Sequence, residues 1–173
     1  ALFLANGVFA MSELALVSSR RSRLQQLAEN GHPGATAALG LIENPGRFLS
    51  TIQVGITLIG IFSGAFGEAT LVAQLAPSLA DLPLVGPYAR EAAIAIVVVG
   101  ITYGSLILGE LVPKRLALHA PEAIATRIAL PMQLLSRLMH PFVKLLTISS
   151  EWVLRLFGVR ETVKETITEA EID

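Results

Sequence analysis

The sequence predicts an all-α membrane protein with three transmembrane helices and amphipathic juxtamembrane helices that form a belt on the cytoplasmic side. Composition comes first: 53% of the 173 residues are hydrophobic and only 16% are charged, where soluble domains carry about a quarter charged residues. Three apolar stretches, at about 1–19, 48–67 and 91–112, meet or approach the roughly 20 residues needed to cross a bilayer. The basic residues then give an orientation. If the first span runs from outside to inside, 12 of the 13 Lys and Arg residues fall on the cytoplasmic side, and Arg90 alone stays outside. That bias sets membrane topology, so the expectation is a multi-pass protein of the inner (plasma) membrane, N-terminus outside and C-terminus cytoplasmic.

The first span opens at Ala1, preceded by neither a positively charged stretch nor a small-residue cleavage site. This argues against a signal peptide and for a segment that naturally starts earlier. Arg20 to Glu29 reads as a basic amphipathic helix closed by Asn30-Gly31-His32-Pro33, the start of a juxtamembrane region over about 20–43. Asn44-Pro45-Gly46 is a turn that also starts the second span, with Pro45 in its first turn. Within that span Ser50, Gln53 and Thr57 stand at i, i+3 and i+7, on one side of a helix, while Gly55, Gly60, Gly64 and Gly67 offer small surfaces. Both sets also serve as ordinary helix–helix contacts in membranes. Residues 69–90, with Pro77, Pro83 and Pro87, read as a loop whose Leu71–Leu79 portion is apolar enough to dip into the interface.

Residues 121–158 are apolar but carry Arg127, Arg137, Lys144, Glu151 and Arg155 at regular intervals, and contain Pro131 and Pro141. The prolines would break or kink a straight span. Gln133, Arg137, His140, Lys144, Glu151 and Arg155 form one polar stripe, the pattern of helices that lie in the interface. Residues 1–160 are thus expected to be one transmembrane domain, and the polar, acidic 161–173 a linker to a further soluble part.

A net charge of −1 argues against nucleic acid as a partner. With no cysteine and three scattered histidines, a bound metal would have to be held by hard oxygens. Glu110 is the first candidate. It ends the charge-free run 92–109, and an ionisable group inside a membrane segment costs roughly 2.5 to 3.5 kcal/mol, so it faces water, an ion path or an opposite charge. The plainer reading pairs it with Lys114 or Arg115 at the interface; a second carboxylate, Glu13, in another apolar segment weighs against that. Hydroxyl, amide and carboxylate oxygens suit Mg²⁺, Ca²⁺ or Na⁺, without choosing among them. Mg²⁺ would need near-octahedral oxygens at about 2.0 to 2.1 Å, some from carbonyls freed at a helix irregularity such as Gly104 or Gly109. Enzymatic function is not expected: Ile61-Phe62-Ser63-Gly64 only half resembles an intramembrane serine protease motif, and no histidine lies inside a span.

Three ordered stretches, Phe9-Ala10-Met11-Ser12-Glu13-Leu14-Ala15-Leu16, Asn44 through Leu58, and Gly109-Glu110-Leu111-Val112-Pro113-Lys114, resemble the signatures of the CorC/CNNM transporter membrane domain. The resemblance covers essentially the whole chain. It implies a homodimer in membrane lipid that exports Mg²⁺ in exchange for Na⁺, with ATP acting only through a cytoplasmic CBS-pair module beyond this chain. Carried over residue by residue, it makes Ser12, Ser50, Gly109 and Glu110 the ion ligands. Glu13, Gln53, Thr57, Gly104 and Lys114 form a second tier that lines the cavity or serves Na⁺. Two departures stand out: Ala10 where many relatives have serine, and Ile56 where they have asparagine, with Gln53 one turn earlier as a substitute amide. The alternative is a membrane sensor or scaffold that binds Mg²⁺ with the same residues and moves nothing.

Overall fold

The computed structural model describes residues 1–83 and 85–157, and among them every regular element is helical. The expected linker 161–173, with Arg160 and Lys164 of the charge count, lies outside the described residues. Helix α1 (Leu2–Ser18) is apolar throughout, and at Ser19-Arg20 the chain turns through 93° into the basic α2 (Arg21–Glu29). Gly31, at φ 81°, makes the reversal into α3 (Pro33–Glu43), a conformation that a residue with a Cβ resists. The region 20–43 is therefore two helices, the first closed at the Asn30-Gly31-His32-Pro33 signal.

Pro45 opens α4 (Pro45–Phe66), which continues through a π-helical segment (Gly67–Val72) into α5 (Ala73–Ala80). The structure corrects the reading of residues 69–90 as a loop: the helix begun at Pro45 runs 36 residues to Ala80. The physical reason lies across the hairpin, where Val72, Leu75 and Leu79 pack against Ala93, Val97 and Ile94 of α6 (Ala89–Leu106). Close packing of these side chains over the small Ala93 holds the helix continuous through Pro77, whose missing N–H would otherwise favour a break. Pro87 sits harmlessly in the short 3₁₀ turn Gly86–Tyr88. At this end of the hairpin Arg90 meets Glu68 at 3.7 Å, both well exposed.

The return pass runs 34 residues, Gly86–His119: α6, a second π-helical segment (Ile107–Leu111), then α7 (Val112–His119). These two long helices are apolar enough to cross a membrane, and the bent pair α1–α2 brings the number of candidate spans to three. Only 17% of the most apolar stretch of each long helix is buried within the chain, so lipid or another chain must cover the rest. The core lies instead at the end where α1 finishes. Ala15, Leu16, Leu24, Ala38, Phe48, Ile52, Ala117, Ala125 and Met132 meet there, drawn from α1, α2, α3, α4, α7 and α8 (Pro121–Leu138). Small alanines permit close helix approach. Helix α8 runs unbroken through Pro131; the interruption falls at Met139, before α9 (His140–Leu156), where Pro141 occupies the first turn. Taken by itself, α9 carries His140, Lys144, Glu151 and Arg155 at helical spacing among exposed apolar residues such as Leu145 and Trp152.

Helix α3 lies directly on α8 at Gly34, where an added Cβ would run into the Thr126 carbonyl oxygen. Both Gly34 and Gly46 follow a helix-opening proline, but Gly46 has open space around it. Gly34→Ala is therefore expected to destabilise by about 1–3 kcal/mol through overpacking against backbone, while Gly46→Ala should be neutral or stabilising by up to about 1 kcal/mol. Thermal melting of the two variants checks this, and equal melting temperatures would contradict the packing.

Candidate functional site

The third pass is apolar and regular until Pro113 disturbs it. Proline has no N–H to offer the carbonyl four residues back, and its ring crowds that carbonyl, which here belongs to Gly109. The helix widens over Ile107–Leu111, where the Val112 N–H reaches back five residues to Ile107 O. A π-helical turn of this kind re-aims side chains and commonly marks a functional position. It carries the Gly109-Glu110 pair.

Helix α1 lies flush against this turn. A Cβ at Gly7 would sit 2.8 Å from both Leu108 O and Pro113 Cγ, and one at Gly109 2.9 Å from Asn6 Nδ2. Further out, Gly104 faces the ring of Phe3. Phe3, Asn6, Gly7 and the buried Ala10 stand at i, i+3, i+4 and i+7, so one face of α1 makes the whole contact. Within it Asn6 Nδ2 donates to Gly109 O at 3.1 Å, taking a carbonyl that Pro113 cannot serve. Asn6 was not singled out from the sequence; the available signal was an amide in an uncharged apolar stretch, one turn before a small residue.

Glu110 follows Gly109 with its side chain 44% exposed, and its Oε1 accepts from Lys114 Nζ at 2.6 Å. The pairing that the sequence offered as the plainer reading is thus present. Ser12 is fully buried and its Oγ donates to Val8 O at 2.6 Å. That bond uses the proton and leaves oxygen lone pairs free to accept a cation or a donor. Glu13 is half-buried, with no hydrogen bond or ion pair among the described residues.

Helix α4 contributes differently. It meets α1 where Gly55 receives the Phe9 ring, with Cζ 2.7 Å from a Cβ added at Gly55, but Ser50, Gln53 and Thr57 all lie on its exposed face. Thr57 Oγ1 donates to Gln53 O at 2.9 Å. The neighbouring Thr51 is the buried hydroxyl, bonded to Arg47 O at 2.9 Å and lying 3.5 Å from Ser136 Oγ. Glycines 104 and 109 and Glu110 are thus gathered at α1, Ser12 is buried along the same helix, and the α4 residues face outward. Among the described residues no three acidic or histidine side chains come close enough to share a metal. A cation here would have to use Glu110 together with hydroxyl and carbonyl oxygens.

Comparison with known proteins agrees with this architecture. The family model described as the cyclin M (CNNM) transmembrane N-terminal domain matches residues 1–173. The UPF0053 protein sll0260 of Synechocystis is 50% identical over 171 residues, covering 99% of this chain and 38% of the relative. UPF0053 protein YugS of Bacillus subtilis is 32% identical over 158 residues, 91% of this chain and 37% of its own. A protein of Haemophilus influenzae named polyamine export protein is 28% identical over 175 residues, with coverages of 99% and 40%. The chain spans about two fifths of the length of these relatives. Spanning helices in this order, a Gly-Glu pair set in a π-helical turn before Pro113, and a match over every residue together make the chain a member of the CNNM family, as its transmembrane domain.

Proposed function

We propose that this domain carries a cation across the membrane, with Mg²⁺ as the exported ion, Na⁺ as the coupling ion and Glu110 as the charged ligand. The observation that carries the reading is the position of Glu110: a carboxylate in a π-helical turn within a long apolar pass, adjoining a glycine whose carbonyl is held by Asn6. In the present arrangement Lys114 neutralises it. Transport then requires exchange: the ammonium withdraws as the incoming cation meets the carboxylate, which replaces part of the ion's lost hydration. Ser12 Oγ and the Gly109 carbonyl supply neutral oxygens, and Glu13 serves the cavity or the coupled Na⁺. Ser50, Gln53 and Thr57 join from an exposed face that a second copy of the chain would cover in a homodimer. The same reading puts ATP regulation in a CBS-pair module outside this domain, gives the domain no enzymatic step, and places it in the inner (plasma) membrane with its N-terminus outside.

A second reading concerns the cargo. Glu110 already holds an alkylammonium, that of Lys114, at 2.6 Å, and one relative bears the name polyamine export protein. An organic polycation could take the place of the lysine as readily as a metal ion. In proteoliposomes loaded with Mg²⁺ or with a polyamine such as spermidine, the proposal predicts Mg²⁺ efflux driven by a Na⁺ gradient. Polyamine efflux alone would favour the second cargo, and binding with no flux of either would mean a sensor or scaffold.

Removing the charge at constant shape, Glu110→Gln should reduce flux by at least about tenfold, equivalent to about 1.4 kcal/mol. Lys114→Met should instead leave flux measurable and raise the apparent affinity for the cargo, because the tethered competitor is gone. Unchanged flux in Glu110→Gln would leave the carboxylate as a surface ion pair. Orientation has its own check, free of background because the chain has no cysteine. A membrane-impermeant thiol reagent applied outside intact cells should label Arg90→Cys and not His119→Cys; the reverse pattern would invert the topology.

A further inference from the structure

Where α1 bends into α2, a cavity of about 490 Å³ opens between α2, the turn at His32 and the start of α8, with Arg23, His32, Glu122, Thr126 and Arg127 in its wall. The charges there are unbalanced. Neither Arg23 nor Arg127 has an ion-pair partner among the described residues, and the single carboxylate of the wall is already engaged. Glu122 accepts from its own backbone N–H, and its Oε1 from the Arg20 N–H at 3.3 Å. Its own N–H first, then the Arg20 N–H and the Arg23 and Arg20 charges, hold the carboxyl below the usual carboxylate range against the opposing effect of burial. The wall thus carries two exposed guanidinium groups against one carboxylate.

The backbone adds to this field. Helix α3 begins at the cavity wall after His32, with neither a side-chain cap nor an acidic residue in its first turn, whereas the α8 start after Ala120 already carries Glu122. The positive end of α3 favours an anion, and the close contact of Gly34 with Thr126 fixes it against the α8 start. The level of the cavity narrows the choice of ligand. Its residues follow Ser18, where the first apolar helix ends, and His119, where the return pass ends, and its wall includes the apolar Leu27, Ala120 and Ala123 beside the charged groups. A free anion needs only the polar wall; a phospholipid also uses the apolar flank.

We propose that this cavity binds the headgroup phosphate of an anionic phospholipid, through Arg23 and Arg127, and so anchors the α1–α2 bend and the α8 start to the bilayer surface. The site is separate from Glu110 and does not depend on the nature of the cargo. It is tested by melting the full-length protein in neutral detergent with short-chain phosphatidylglycerol, phosphatidylcholine or inorganic phosphate. Phosphatidylglycerol should raise the melting temperature by about 5 °C, phosphatidylcholine and inorganic phosphate by far less. Arg23→Gln/Arg127→Gln should lose most of the rise, while Arg47→Gln, which removes an exposed arginine elsewhere, should keep it. Where the double variant does not fold, Arg127→Gln alone should lose about half. An undiminished rise in the arginine variants would overturn the site, and an equal, arginine-dependent rise with inorganic phosphate would overturn its assignment to lipid.

Discussion

With Gly7 apposed to Leu108 and Pro113, and Gly109 to Asn6, no large side chain separates the backbone of the first helix from that of the third pass. The rest of the domain is arranged around that contact. Pro113 denies the Gly109 carbonyl its usual helical partner, the turn widens, and an amide from another helix takes up the free acceptor. A side chain at either glycine would push the helices apart and leave a polar carbonyl facing apolar surroundings, at a cost of about 1–3 kcal/mol. Glu110 owes its place to this irregularity, because the π-helical turn shifts it relative to the apolar face that precedes it.

The two ends of the domain are built on different principles. At one end six helices close over alanines and a few large side chains, so the bend after α1, the start of α4 and the end of α7 are held together. At the other, α5 and α6 share only a small apolar cluster around Val72, Ala93 and Val97. The middle of the long helices is mostly exposed within the single chain. The two ends thus differ in how many helices close over a shared apolar cluster, with long, sparsely buried helices between them.

Much of this was legible in the sequence. The apolar stretches and the Pro-Gly start of α4 follow from composition and spacing, and helices appear where those signals stand; the pairing of Glu110 with Lys114 was one of the two readings the sequence offered. What was misread was punctuation. Pro77 and Pro131 looked like breaks, but each is carried inside a continuous helix, because tertiary packing outweighs a local proline cost that sequence alone cannot weigh. Asn6 escaped notice for a related reason: its role depends on a carbonyl 103 residues away that only the folded contact exposes. The exposed placement of Ser50, Gln53 and Thr57 could not be read either, since a polar helix face has the same spacing whether it lines a cavity, a partner or a lipid-free groove.

The central claim is that a transported cation takes the Glu110 carboxylate from Lys114. Infrared difference spectroscopy reads that carboxylate directly, by comparing membranes with and without Mg²⁺ in the wild type and in Glu110→Gln. A Mg²⁺-induced shift of the carboxylate stretching bands, present in the wild type and missing in the variant, is the result expected. The same difference spectrum in both proteins would show that the ion binds elsewhere, and Glu110 and Lys114 would then be no more than an ion pair at the edge of the membrane.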